Sequence, residues 1–77
     1  PRVNQVHVAG EAIYVATNAG LWYSPDAGGS WDVVRRGNVL PADDPAISTD
    51  EVLSVSTLGD SVFVGMPAVG IVELVWQ

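Results

Sequence analysis

The sequence predicts an all-β protein made of two strand-rich units, and three observations lead to this prediction. Valine, isoleucine and aromatic residues alternate with polar residues at a period of two, which is the pattern of strands with one buried face. The second half of the chain repeats the first at a nearly constant offset. A polar turn, SPDAGGSW, lies between two of the predicted strands. No segment has the apolar period of about 3.6 residues that an amphipathic helix requires.

The alternation predicts strands in two groups, four in the first unit and three in the second. In chain order these strands are Val3–Ala9, Ala12–Thr17, Leu21–Ser24, Trp31–Arg35, Val52–Leu58, Ser61–Met66 and Ile71–Trp76. The second unit therefore lacks a fourth, outer strand. The corresponding division of the chain is a first unit at residues 1–36, a connecting loop at 37–50 and an incomplete second unit at 51–77.

The internal repeat indicates the architecture. Val3–Val15 aligns with Val52–Val64 at an offset of 49 residues, and Gly10 and Gly59 are each expected to begin a two-residue hairpin turn. A period near 50 residues with about four antiparallel strands per unit is typical of β-propeller blades. A small β-sandwich formed by duplication is the alternative. Because propellers usually have about four to eight blades, we expect either further blades in a longer chain or association of several copies.

The turn Ser24–Trp31 joins the third and fourth predicted strands. Asp26 can accept hydrogen bonds from backbone N–H groups two or three residues ahead and so hold the turn closed. Gly28 and Gly29 permit a positive φ angle, and Trp31 would cover the turn with a large apolar face. Each of these residue types therefore has a reason to be present that concerns folding alone.

This turn resembles the Asp box, or bacterial neuraminidase repeat, whose pattern is Ser-x-Asp-x-Gly-x-Thr/Ser-Trp between the third and fourth strands of a propeller blade. The resemblance is specific over about a dozen residues, but the second unit reads Leu74-Val75-Trp76-Gln77 where a second box would fall. In Asp-box families the motif lies on the outer rim of the propeller, so the resemblance implies a structural role. All five specified positions match, at Ser24, Asp26, Gly28, Ser30 and Trp31.

The resemblance implies two classes of function. The first is a non-catalytic structural and interaction module for protein or glycan binding, as in sortilin-type receptors and photosystem II assembly factors. The alternative is a fragment of a glycoside hydrolase, similar to a sialidase or a xyloglucanase, whose catalytic residues lie mostly outside this chain. The family also favours a secreted or extracytoplasmic protein. No cofactor is expected, and no residue of the chain is assigned a catalytic role.

Four residues are candidates for ligand binding. His7 lies on the predicted innermost strand, which in propellers borders the central channel, although a strand residue with satisfied hydrogen bonds is the alternative. Arg35 could bind a substrate carboxylate through its planar guanidinium. Asp43 and Asp44 could be paired carboxylates of a glycoside hydrolase or a solvated cluster in the connecting loop. A metal site at Asp26 is not expected, because calcium loops supply several carboxylates.

Composition excludes some partners and leaves others open. Three arginines and no lysine stand against nine carboxylates, for a net charge of −6, which argues against nucleic acid and anionic membranes. No stretch reaches the roughly 20 apolar residues of a membrane span, and without cysteines there are no disulfides. The hydrophobic content of 48% indicates a well-filled core or an apolar face for a partner. The aromatic residues expected in the core are Tyr14, Trp22 and Phe63.

Overall fold

The computed structural model describes residues 2–34, 39–40, 50–67 and 70–76, and in this part of the chain the protein is all-β, without helices. The all-β prediction is therefore confirmed. β1, β2 and β7 have the predicted bounds. The strands are β1 Val3–Ala9, β2 Ala12–Thr17, β3 Gly20–Ser24, β4 Asp32–Val33, β5 Val39–Leu40, β6 Ser54–Leu58, β7 Ser61–Met66 and β8 Gly70–Trp76.

The strands form two antiparallel sheets. The first has the order β1-β2-β3-β4, and in the second the long strands β6, β7 and β8 are adjacent in sequence order. The predicted fourth strand, Trp31–Arg35, is shorter than expected, because only Asp32 and Val33 pair with β3 among the described residues. Because antiparallel neighbours can be joined by two-residue turns, the connections β1–β2, β2–β3 and β6–β7 are only two residues long.

The short strand β5 corrects one prediction. The second sheet was expected to lack an outer strand, yet Val39 pairs with Trp76 and Leu40 pairs with Val75, so β5 lies at the edge beside β8. An unpaired strand edge exposes a row of N–H and C=O groups that another segment can satisfy. Part of the predicted loop at 37–50 therefore adds to the second sheet. A two-residue strand has too few positions to show an alternation, which is why the sequence did not reveal it.

Two hairpin turns have the same conformation in both sheets. Gly10 has a φ of 64° and Gly59 a φ of 60°, and each glycine is the first of the two residues between paired strands. The following residues, Glu11 and Asp60, do not have a positive φ. This is the turn that the right-handed twist of paired strands favours when glycine comes first. The prediction for both turns is confirmed.

The hydrophobic core lies between the two sheets. In an antiparallel sheet, directly paired residues share a face and successive residues alternate between faces, so the register assigns every side chain to the core or to an outward face. Polar side chains at the rim of the core join β1 to the second sheet, as described below. The buried apolar residues are Tyr14, Ala16, Leu21 and Val34 from the first sheet and Val52, Val55, Val62, Val64, Met66 and Leu74 from the second.

The two sheets bury faces that are not equivalent in the repeat. Leu21 is 1% exposed, whereas Ile71, which occupies the equivalent position 50 residues later, is 76% exposed. The reverse holds for Val55, which is 1% exposed, and Val6, which lies 49 residues earlier and is 54% exposed. The two sheets therefore face the same way, so that the face buried in one sheet is equivalent to the face exposed in the other. A duplicated sandwich with two-fold symmetry would bury equivalent faces, and this arrangement does not.

Each sheet consequently has one outward face without a covering sheet among the described residues. The expectation of a core position is right for Tyr14 but wrong for Trp22 and Phe63, which are only half-buried because they lie on these outward faces. We call the outward face of the first sheet the N face, and it includes Val3, Val6, Val8, Val15 and Trp22. We call the outward face of the second sheet the C face, and it includes Ser56, Leu58, Phe63, Ile71 and Glu73.

Candidate functional site

The carboxylate of Asp26 is bound within the Ser24–Trp31 turn. Oδ1 accepts hydrogen bonds from the Ser30 backbone N–H at 2.8 Å and from the Ser24 hydroxyl at 2.9 Å, and Oδ2 accepts one from the Ser30 hydroxyl at 2.8 Å. The donor was expected two or three residues ahead, but it lies four residues ahead because the turn is wider than a simple Asx turn. Both carboxylate oxygens are therefore used to close the turn.

Ser24 is the buried centre of this turn. Its hydroxyl oxygen, besides donating to Asp26, accepts the backbone N–H of Gly28 at 2.8 Å, and the residue is fully buried at the end of β3. The backbone N–H of Ala27 donates to the carbonyl of Glu11 at 2.8 Å, which fixes the turn to the β1–β2 hairpin. Ser24 and Ser30 therefore both bind the same carboxylate.

The two glycines of the turn have different roles. Gly28 has a φ of 98°, as expected, but the other residue with a positive φ in this turn is Ala27, at 58°, and not Gly29. At Gly29 the constraint is space, because a Cβ atom there would lie 3.2 Å from the carboxylate of Asp26. The prediction of a positive φ is therefore right for Gly28 and wrong for Gly29.

Hydrogen bonding within the turn also favours the ionised form of Asp26. The bond from the Ser30 backbone N–H lowers the pKa of Asp26 below its ordinary value of 3.8, and the hydroxyls of Ser30 and Ser24 lower it further. Hydrogen bonds to the charged form of a carboxylate favour that form. Asp26 is therefore ionised at neutral pH and has no proton to donate, which is the opposite of what a general acid needs.

Trp31 forms one wall of a shallow depression beside the turn. Its side chain is 46% exposed, and its ring lies 4.0 Å from the position that a Cβ of Gly28 would occupy. Trp31 thus covers only part of the turn and leaves an aromatic surface to solvent. The depression has a volume of about 240 Å³ and is lined by Tyr23, Pro25, Ser30, Trp31, Asp32, Val33 and Val34.

Of the four binding candidates, the structure describes only His7. Its Nε2 lies 3.0 Å from the hydroxyl of Thr57, and its ring is 6.4 Å from that of Tyr14, so His7 joins the two sheets at the edge of the core. The other three candidates, Arg35, Asp43 and Asp44, lie outside the described residues.

Further polar side chains, Gln5 of β1 and Arg2 just before this strand, bond to residues at the start of the second unit and were not predicted. The amide of Gln5 donates to the carbonyl of Val55 at 3.1 Å and accepts its N–H at 3.2 Å, as a neighbouring strand would. Arg2 forms an ion pair of 2.8 Å with Glu51. The internal repeat could have predicted this ion pair, because Arg2 and Glu51 carry opposite charges at equivalent positions 49 residues apart.

Two other kinds of site are absent from residues 2–34, 39–40, 50–67 and 70–76. In that part of the chain no three residues among His, Asp and Glu are grouped so that they could hold a metal ion. The same residues contain no helix of the length and apolar character that a membrane span needs.

A comparison with protein-family models, with curated proteins and with solved structures finds no match.

Proposed function

We propose that the chain is a non-catalytic structural and interaction module, built from two β-propeller-type blades, that acts by binding protein or glycan. The observation that carries the proposal is the hydrogen bonding of the Asp26 carboxylate. Both of its oxygens accept hydrogen bonds from the same turn, so the residue that most resembles a functional aspartate has a structural role. This use of the carboxylate supports the Asp-box interpretation of the Ser24–Trp31 turn.

The arrangement of the sheets supports the interpretation as blades. The first sheet is an antiparallel meander of sequential strands, and so are β6, β7 and β8 of the second sheet. Equivalent faces point in the same direction, as Leu21 and Ile71 illustrate. Repeats that stack in one direction bury a continuous core and expose an unpaired face at each end. Binding of protein or glycan would then use the outward faces or the depression beside Trp31.

The alternative of a glycoside hydrolase fragment has less support from the described residues. Most glycoside hydrolases, although not sialidases, need two carboxyl groups on either side of the scissile bond, one with a raised pKa. Asp26 has a lowered pKa, and Glu51 and Glu73 are bonded to Arg2 and Ser61. The candidate pair Asp43 and Asp44 lies outside the described residues.

The proposal is tested by the variant Asp26→Asn, measured for activity and stability in parallel. We expect that any hydrolysis of a fluorogenic sialoside or xyloglucan oligosaccharide is the same for Asp26→Asn as for the wild type. The Tm of the variant should be several degrees lower. The amide of Asn offers only one acceptor oxygen in place of two. The control is Asp60→Asn in an exposed hairpin turn, which should leave Tm unchanged. A hydrolytic rate that disappears in Asp26→Asn without a change in Tm would refute the proposal.

A further inference from the structure

The large apolar side chains that remain exposed are concentrated on the two outward faces. Val3, Val6 and Val8 lie on the N face, and Leu58 and Ile71 lie on the C face. Small proteins seldom expose contiguous apolar surface without a partner for it. We therefore expect each of the two outward faces to be buried against a partner surface. The internal repeat indicates which surface fits each face.

The repeat makes the N face equivalent to the buried face of the second sheet. Val6, Val8 and Val15 correspond to Val55, Thr57 and Val64 at the offset of 49 residues. In the chain, this face of the second sheet packs on the inward face of the first sheet. The N face therefore has the strand order and apolar character of a surface that already packs on a sheet of this kind.

The C face is, in the same way, equivalent to the inward face of the first sheet. Ser56 and Phe63 correspond to His7 and Tyr14 at the offset of 49 residues, and Ile71 corresponds to Leu21 at 50. Inside the chain, the interface joins the inward face of the first sheet to the buried face of the second sheet. The C face is equivalent to the former and the N face is equivalent to the latter.

We propose that the partner of each outward face is a second copy of this chain, stacked so that its N face covers the C face of its neighbour. This inference deepens the proposed function, because it names the partner of the interaction module. The contact reproduces between copies the packing that holds the two sheets together within one copy. Ile71 of one copy then lies where Leu21 lies inside the chain, and Val6 of the next copy lies where Val55 does.

The charges at the start of the inner strands are complementary for this contact. Arg2 and Glu51 occupy equivalent positions 49 residues apart and form the ion pair inside the chain. One step further along the stack, Glu51 takes the position of Arg2 and the neighbour's Arg2 takes the position of Glu51. The same pair of opposite charges therefore meets at the contact between copies. Two like charges at these positions would instead oppose association.

The contact is head-to-tail, because it joins two different surfaces. Such heterologous contacts close into a ring when the rotation between copies allows it and otherwise extend as a filament. Each copy uses both of its outward faces in either case. A symmetric dimer would instead pair one face with the same face of its partner, and this difference makes the proposal testable with single substitutions.

The experiment is sedimentation velocity at micromolar to submillimolar concentrations. The variants Val6→Lys, on the N face, and Ile71→Lys, on the C face, each place one charge where an apolar residue would be covered. The matched control Ala19→Lys adds the same charge at an exposed turn. We expect the wild type and Ala19→Lys to associate and both face variants to be monomeric. Circular dichroism should show unchanged strand content in both variants, since positions 6 and 71 are exposed.

Mixing the two face variants tests the direction of stacking. Val6→Lys keeps an intact C face and Ile71→Lys keeps an intact N face, so a mixture should form a one-to-one dimer and nothing larger. A monomeric wild type, or a face variant that still associates by itself, would overturn the proposal. A monomeric wild type would leave the proposed function standing, because that is tested by Asp26→Asn and not by association.

Discussion

The carboxylate of Asp26 accepts three hydrogen bonds from donors in its own turn. Each donor comes from a serine that the sequence places two residues before or four residues after the aspartate. The sequence was sufficient to assign a structural role to this turn, because each of its residue types has a local function. It was insufficient for the geometry, since a span of four residues and the positive φ of Ala27 depend on how the turn packs against Glu11.

The lowered pKa of Asp26 makes the turn sensitive to acid. A carboxyl group whose pKa in the folded protein lies below its value in the unfolded chain stabilises the fold fully above the unfolded value, here 3.8, and loses that contribution as the pH falls through the folded pKa. The difference in Tm between the wild type and Asp26→Asn should therefore be constant near neutral pH and shrink below pH 3.8. Thermal unfolding across this pH range measures it, and a difference that grows in acid would contradict the account.

Gly29 should be intolerant of a side chain for a reason specific to Asp26. A Cβ atom at this position would lie 3.2 Å from the carboxylate, which cannot move away without losing bonds to Ser30 and Ser24. Gly29→Ala is expected to destabilise the protein by about 1 kcal/mol, the lower end of the cost of overpacking. In the background of Asp26→Ala the same substitution should cost much less, and chemical denaturation of the four variants gives this coupling directly. Equal costs in both backgrounds would mean that the carboxylate is not the obstacle.

Among the elements, the long strands were predictable and the short ones were not. β1, β2 and β7 each contain six or seven residues, which is enough alternation to fix both ends, and each borders a hairpin turn that begins with Gly10 or Gly59. β4 and β5 contain two residues each. Their pairing depends on which strand edge is free nearby, and that is a property of the folded sheet. The position of β5 beside β8 is the clearest example.

Gln5 should be more important for stability than an ordinary polar strand residue. Its amide satisfies both the N–H and the carbonyl of Val55 across the gap between the sheets. Gln5→Leu leaves both groups without that partner, and we expect a loss of about 1–3 kcal/mol in the free energy of unfolding. The control Glu11→Leu makes a similar polar-to-leucine change in an exposed turn and should change stability by less than about 0.5 kcal/mol. Urea denaturation compares them, and equal effects would show that the bridge has no special role.

For the molecule as a whole, the repeat is the feature with the widest consequences. The offset of 49 residues could be read from the sequence, but the direction of stacking could not, because alternation does not say which face of each strand is buried. The exposure of Val6 and Ile71 against the burial of Val55 and Leu21 supplies that information. It also explains how a chain with 48% hydrophobic residues has both a filled core and apolar outward faces.

The most direct test of the stacking is a cross-link between copies. His7 contacts Thr57 inside the chain, and the offset of 49 residues places Ser56 of one copy beside Val8 of the next. The wild type has no cysteine, so a short bis-maleimide linker reacts only where one is introduced. Within one chain, His7→Cys with Thr57→Cys is the positive control. A mixture of Ser56→Cys and Val8→Cys should give a covalent heterodimer, whereas each variant alone should stay monomeric under denaturing conditions. Homodimers of either variant, or no heterodimer in the mixture, would contradict head-to-tail stacking.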